Sequence, residues 1–210
     1  MIEIYNEDAI KGLSSLNDDC CQLILTDIPY GEVNRKSNGL RNLNKDDADT
    51  LNFDLNDFIE LCVKKSKGSI YIFCGTEQVS GIRSKMVSLG LSTRLIIWEK
   101  SNPSPMNGQY IWLSGVECCV YGKKKNAVFN AHCRNTVLKY PNGRNKLHPT
   151  EKNLDLFKDL ISVSSNEGDL VIDPCIGSGT TALACKLLGR QCIGFDICAK
   201  YCEIARGRIV

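Results

Sequence analysis

The sequence predicts an α/β fold: a doubly wound, mostly parallel seven-stranded sheet with helices on both faces. Three observations carry that expectation. Short apolar runs rich in Ile and Val alternate with segments of helical period. Two of the runs end in an aspartate at or next to a proline, LILTDIP and LVIDP. One of those, at 170–174, leads into a glycine turn and then a helix, the arrangement that places ligands at the carboxyl ends of strands.

The runs at 2–5, 22–26, 69–74, 94–99, 116–121, 169–173 and 191–195 give the strands, and 7–16, 55–66, 78–89, 150–164, 180–188 and 198–208 give the helices. For the helix near 150, Thr150 is the expected cap, with Leu154, Phe157, Leu160 and Ile161 on one face. The length of 210 residues suits a single domain, 1–210. The segment at about 31–53 is rich in Asn, Gly and charge and is expected to be a mobile loop; about 104–147 reads as a small insertion.

No apolar run reaches the length of a membrane span, and the start MIEIYNEDAIKG lacks the features of a secretory leader, so the expectation is a cytoplasmic protein without membrane contact. The twelve cysteines fall inside strands and helices, as buried thiols of a reducing compartment do. Cys118-Cys119 and His132-Cys133 lack the spacing of a structural zinc site, and no metal is expected. Charge is uneven: Cys118 to Thr150 holds Lys123, Lys124, Lys125, Arg134, Lys139, Arg144 and Lys146 and no acid. On charge alone a solvated loop and a phosphate-facing surface both account for it, and these seven residues are the expected nucleic-acid contacts.

Two strand ends carry chemistry. After Asp173 come Gly177 and Gly179 and a helix start at Thr180, where the backbone can approach a ligand closely and the helix terminus favours negative charge. Asp196, at the next strand end, is placed to accept hydrogen bonds from both hydroxyls of a ribose. Neither a phosphate loop nor a full GxGxxG is present, which favours a nucleoside cofactor without an essential pyrophosphate. In LTDIPYG, Pro29 keeps Ile28 extended, so that the Asp27 carboxylate and the Ile28 carbonyl converge beside the flat face of Tyr30. Two acceptors and a ring suit the exocyclic amino group of a planar base.

These residues resemble a family. DIPY is similar to the (D/N/S)PP(Y/F/W) signature of amino-group DNA methyltransferases, DPCIGSGTT to their DPFxGSGTT loop, and LHPTEKN to their HPTEKP segment. The order of motifs is that of the circularly permuted β group. The resemblance implies a Rossmann-like S-adenosylmethionine-dependent methyltransferase fold and the base-holding residues Asp27, Ile28, Pro29 and Tyr30. It also implies cofactor contacts from Asp8, His148, Thr150, Lys152, Asp173, Cys175, Gly177, Ser178, Gly179, Thr180 and Asp196.

Trp98, Lys100 and Asn102 match a WxKxNPxP stretch that borders the catalytic pocket, and 104–147 falls where the family places target recognition. The implied activity is transfer of a methyl group to the 6-amino group of adenine in duplex DNA by base flipping. Cytosine N4, an RNA adenine and an inactive nucleic-acid-binding subunit are the alternatives. A restriction endonuclease partner and a homodimer also fit the family. Three positions depart from it: Ile28 and Asn153 stand where the motifs have proline, and Cys175 where they have phenylalanine.

Overall fold

The computed structural model describes residues 1–30, 52–105, 108–143 and 152–210. The expectations for His148, Thr150, Arg144, Lys146 and most of the 31–53 loop therefore lie outside the described residues.

The strands are β1 (Ile2–Asn6), β2 (Cys21–Asp27), β3 (Ser66–Cys74), β4 (Ser92–Lys100), β5 (Val116–Lys123), β6 (Val137–Tyr140), β7 (Leu170–Asp173) and β8 (Gln191–Asp196). The helices are α1 (Ala9–Ser15), α2 (Leu55–Lys65), α3 (Val79–Ser88), α4 (Leu154–Ser164), α5 (Thr180–Leu187) and α6 (Ala199–Arg208). They build one sheet in the order β1-β8-β7-β2-β3-β5-β4-β6. The first five of these strands are parallel. β5 then runs antiparallel to both β3 and β4, and β6 joins β4 in parallel.

Among the described residues the sheet thus has eight strands, not seven. β6 escapes a periodicity reading because VLKY is only four residues long, and its alternation is drowned by the polar residues around it. α4 begins later than expected: Asn153, not Thr150, is its cap, with its side-chain oxygen accepting from the Leu156 amide at 2.9 Å. Asn153 thus does at this helix start what the proline of the family motif cannot, since proline has no side-chain acceptor.

Alternation along β2 divides the core between the two faces. Leu23 and Leu25 pack with Phe157, Leu160 and Ile161 of α4 and with α5 and α6. Ile24 packs with Leu13 of α1, Phe58 and Ile59 of α2 and Ile82 of α3. A strand covered on both sides reads as a continuous apolar run, which is why QLIL carries no alternation in sequence. Continuing the alternation, Asp27 lies on the α4 side, while Ile28 is buried on the α1–α3 side.

Candidate active site

The chain leaves β2 toward β3 on one side and leaves β7 toward β8 on the other, so the sheet's switch point lies between β2 and β7. Clefts form there because consecutive connections diverge. Both candidate aspartates sit at that place: Asp27 ends β2, Asp173 ends β7, and the two strands are hydrogen-bonded neighbours.

Asp27 is held by side chains from far along the chain. Its Oδ2 is 2.8 Å from the Lys152 ammonium, and its Oδ1 accepts from the Tyr30 hydroxyl at 2.9 Å. Lys152, only 7% exposed, also donates to Glu117 Oε2 at 2.7 Å and to the Tyr30 oxygen at 3.0 Å. Its three N–H groups therefore have three acceptors. The other oxygen of Glu117 meets Lys100 at 2.8 Å. The ammonium also lies 5.1 Å from the Tyr30 ring centre and 5.7 Å from that of Phe73.

Two lysines and two carboxylates give this cluster no net charge, which is how four ionic groups can be tolerated away from water. The environment separates the two acids. Burial, reinforced by Glu117, raises the pKa of Asp27 despite the opposing pull of Lys152. Burial would raise that of Glu117 as well, but Lys152 and Lys100 together outweigh it and bring it to about 2. Burial disfavours the charge of Lys152, yet the two carboxylates more than compensate and raise its pKa. The Tyr30 hydroxyl, buried beside two acids, is pushed well up.

The rest of DIPY is fixed by the backbone. The Ile28 amide donates to the Phe73 carbonyl at 3.1 Å, which prolongs the β2–β3 pairing by one bond that a proline could not make. Gln78 donates to the Pro29 carbonyl at 3.2 Å. Trp98 is buried and its indole N–H bonds the Tyr140 carbonyl at 2.9 Å, anchoring β6 to β4 below Lys100.

Asp173 is held locally. Its Oδ1 accepts from the Cys175 amide at 3.1 Å and its Oδ2 from the Thr181 hydroxyl, and burial brings its pKa up to about 7 against the pull of Thr181 and Thr26. Gly177 and Gly179 have φ of +49° and +84°, so the turn needs the left-handed region at both. Gly179 also packs on Ala205, where an added Cβ would come within 2.7 Å, whereas one on Gly177 would meet nothing within 4 Å. The turn is therefore pressed onto α6 at one glycine and open at the other.

Asp196 accepts from the Gly177 amide at 2.9 Å and from the Cys198 amide at 2.8 Å. The expected approach of the turn's amides to a ligand needs correction: those of Cys175, Ile176, Gly177 and Gly179 already bond within the protein. Ser178 is tied by Arg208 through its carbonyl at 2.9 Å, and Thr180 is buried at the start of α5.

Three further expectations are re-placed. Lys152, grouped with the cofactor residues by its motif, sits on Asp27 and Glu117 instead. Asp8 caps α1, accepting from the Ile10 and Lys11 amides, which by itself accounts for an acid there. The basic run divides. Because β5 runs away from the site, Lys123, Lys124 and Lys125 lie at the other end of the sheet, about 20 Å along the strand from Glu117. Lys124 pairs with Asp19, and Arg134 pairs with Asp159. Lys139 lies on the catalytic half of β6 and pairs with Glu99. The surface that does project from the catalytic end is the β4–β5 connection, with Tyr110, Ile111 and Trp112 strongly exposed.

Glu117 is the site residue that sequence reasoning missed. Its one signal was a lone acid in the otherwise apolar strand VECCVY. All twelve cysteines are unpaired, and eight of them are buried. Among the described residues no helix is long and apolar enough to cross a membrane.

The family described as DNA methylase matches residues 109–207. The chain is 32% identical to the type II methyltransferase M.HpaI of Haemophilus parainfluenzae, over 96% of this chain and 72% of that protein. It is 25% identical to M2.DpnII of Streptococcus pneumoniae, over 98% of this chain and 88% of that one. Among solved structures, the M1.HpyAVI–SAM complex superposes with a TM-score of 0.77 at 30% identity, covering 99% of this chain and 100% of its own. The cytosine-N4-specific PvuII DNA methyltransferase, at 18% identity, shares the fold with a TM-score of 0.76, covering 100% of this chain and 86% of its own. Likeness along almost the whole chain, at this level of identity, makes the protein a member of the amino-group DNA methyltransferases, the family that modifies N6 of adenine or N4 of cytosine.

Proposed function

We propose that this chain transfers a methyl group from S-adenosylmethionine to the 6-amino group of adenine in duplex DNA, with the base turned out of the helix onto Asp27. The observation that carries the reading is the pairing of two carboxylates, the partly buried Asp27 and the buried Asp173, at neighbouring strand ends on the switch point. One serves the base and the other the cofactor.

The cofactor end fits a nucleoside bearing an amino acid. Open space lies over Gly177, Asp196 ends the neighbouring strand β8 where the ribose of such a cofactor would lie, and Asp173 can meet an ammonium. When bound, the cofactor supplies an electrophilic methyl group on a sulfonium. The chain supplies everything that aims the nucleophile.

An exocyclic amino nitrogen is a poor nucleophile because its lone pair is delocalised into the ring. Asp27 Oδ1 and the Ile28 carbonyl would accept its two protons and localise that pair toward the methyl group, so orientation and electrostatics do most of the work. The Tyr30 hydroxyl donates to Oδ1. Base entry therefore exchanges the Tyr30 hydroxyl for the amino group and frees the ring of Tyr30 to stack on the base.

The acidic first residue of DIPY supports adenine, since in the family acid or amide goes mostly with adenine and serine with cytosine. The DIPY motif precedes the glycine turn in the chain, which supports the permuted β group. Tyr110 and Trp112, exposed on the connection that leaves the Lys100 end of β4, are proposed as DNA contacts. The type II relatives support a restriction-modification role in the cytoplasm, with a partner endonuclease and a homodimer as accompanying proposals.

Methylation-aware sequencing of host DNA expressing the wild type, with Asp27→Ala as control, tests the reading. The expected result is N6-methyladenine at one short site, absent in the control. N4-methylcytosine would overturn the base assignment, and transfer only to RNA would overturn the substrate. No mark on any methyl-free DNA would favour the inactive binding subunit.

A further inference from the structure

The cluster around Asp27 contains a residue with no contact to base or cofactor in the reading above. Glu117 lies at the start of β5, opposite Trp98 of β4, and its two oxygens bridge two lysines: Oε1 to Lys100 at 2.8 Å and Oε2 to Lys152 at 2.7 Å. Lys152 in turn reaches Oδ2 of Asp27 at 2.8 Å. The two acids thus compete for one ammonium, and Lys100 fixes the position from which Glu117 competes.

We propose that Glu117 is a positioning residue for methyl transfer: by sharing Lys152 with Asp27, it holds the ammonium on Oδ2 while limiting how much of its charge Asp27 feels. Oδ1 is then left as a strong, correctly aimed acceptor for the amino group. The inference rests on the reading of Asp27 as the acceptor of the base.

The electrostatics agree in sign. Glu117 repels the charge of Asp27 and Lys152 attracts it, so removing each should move Asp27 in opposite directions. The other groups interacting with Asp27 are Tyr30, Asp173 at the end of β7, Cys74 of β3 and Cys119 of β5. All of these stay in place in both variants. Glu117 itself, near 2, remains a fixed anion through the working range, so it tunes without titrating.

The test is single-turnover methyl transfer against pH on the site-bearing duplex with Glu117→Gln, Glu117→Asp and Lys152→Met, each checked by thermal melting. With Glu117→Gln the full charge of Lys152 falls on Asp27. The plateau rate should drop about tenfold, its acid limb should move to lower pH, and KM for the cofactor should hold. Glu117→Asp should restore part of both changes. Lys152→Met should move the acid limb the other way, to higher pH.

A Glu117→Gln enzyme with the wild-type plateau and limb overturns the proposal, as does one whose only change is a higher cofactor KM. Asp27→Ala run alongside separates the two levels. If it retains transfer, the acceptor reading has failed; if it is inactive while Glu117→Gln behaves as wild type, only the present inference has failed. Should Lys152→Met not fold, the loss with Glu117→Gln and its partial recovery with Glu117→Asp still decide.

Discussion

Asp27 and Asp173 end neighbouring parallel strands and desolvation raises both, yet they are built in opposite ways. Asp173 takes its two hydrogen bonds from within eight residues of itself, the Cys175 amide and the Thr181 hydroxyl, with uncharged Thr26 of β2 as its distant neighbour. Asp27 depends on a lysine 125 positions away, itself held by an acid on a third strand. A carboxylate held by uncharged local donors can gain or lose a proton without disturbing its surroundings. One held in a charge-balanced cluster cannot change without every partner responding.

Substitution of the two aspartates should expose that contrast most strongly. Asp27→Ala is expected to lower transfer by about a thousandfold or more while leaving cofactor affinity nearly intact. Asp173→Ala should lose cofactor binding itself. Equilibrium titration with the cofactor beside the transfer assay separates them, and a shared binding defect would break the division of labour.

Removing one holding partner at each site comes next. Lys152→Met leaves Asp27 without a counter-ion and Glu117 with only Lys100, an expected loss of about 3 kcal/mol in urea unfolding. Thr181→Ala, at Asp173, should cost only about 1 kcal/mol, since a neutral donor is lost and the acid can stay protonated. Equal costs would mean that the two environments do not differ as argued.

The proton itself is a finer probe. Asp173 stands at about 7 in the fold against 3.8 as an ordinary aspartate, so the folded state binds an extra proton between those values. That contribution is favourable below the unfolded value and is lost as pH rises toward 7, so stability should fall over that window and Asp173→Asn should flatten the fall. An ammonium-bearing cofactor needs the ionised form, so its affinity should weaken as pH drops below about 7. Calorimetry in buffers of differing ionisation heat would detect the released proton.

Ile28→Pro is expected to have the smallest effect. It restores the family tetrapeptide but removes the Ile28–Phe73 hydrogen bond and a side chain buried among α1–α3 residues. The net change should be about 1 kcal/mol toward instability, with only a modest change in rate. A wild type that is inactive and is rescued by this change would show instead that the loop has decayed.

The same contrast explains what could be read from the sequence. Asp173, its two glycines, the helix at Thr180 and Asp196 form a local unit whose geometry follows from turn and helix chemistry, and its outline was visible in the chain. The strand ending at Asp27 was visible too, but its partners were not. Lys152 was recognisable as a motif residue, yet nothing local says that the residues leading into α4 deliver it to β2 and not to β7. Glu117 looked like an interruption in VECCVY because the antiparallel placement of β5, which puts its first residues beside the site, is a property of the sheet. That same reversal separates Lys123 to Lys125 from the site: they are close to Glu117 in sequence and at the far end of the sheet in space. The short β6 and the cap at Asn153 were lost for a simpler cause: four residues, or one side chain, carry too little pattern.

The β4–β5 hairpin has one more consequence. Its base is fixed on every side: Lys100 is clamped to Glu117, the Lys100 amide bonds Gly115, and Trp98 is tied to Tyr140. Its tip, around Trp112 at 96% exposure, carries almost no packing. Sequence at the tip can therefore be lengthened, shortened or exchanged without displacing the charges beneath it. With Tyr110 and Trp112 as the proposed DNA contacts, such a scaffold would let the recognised site change while the reaction chemistry stays the same.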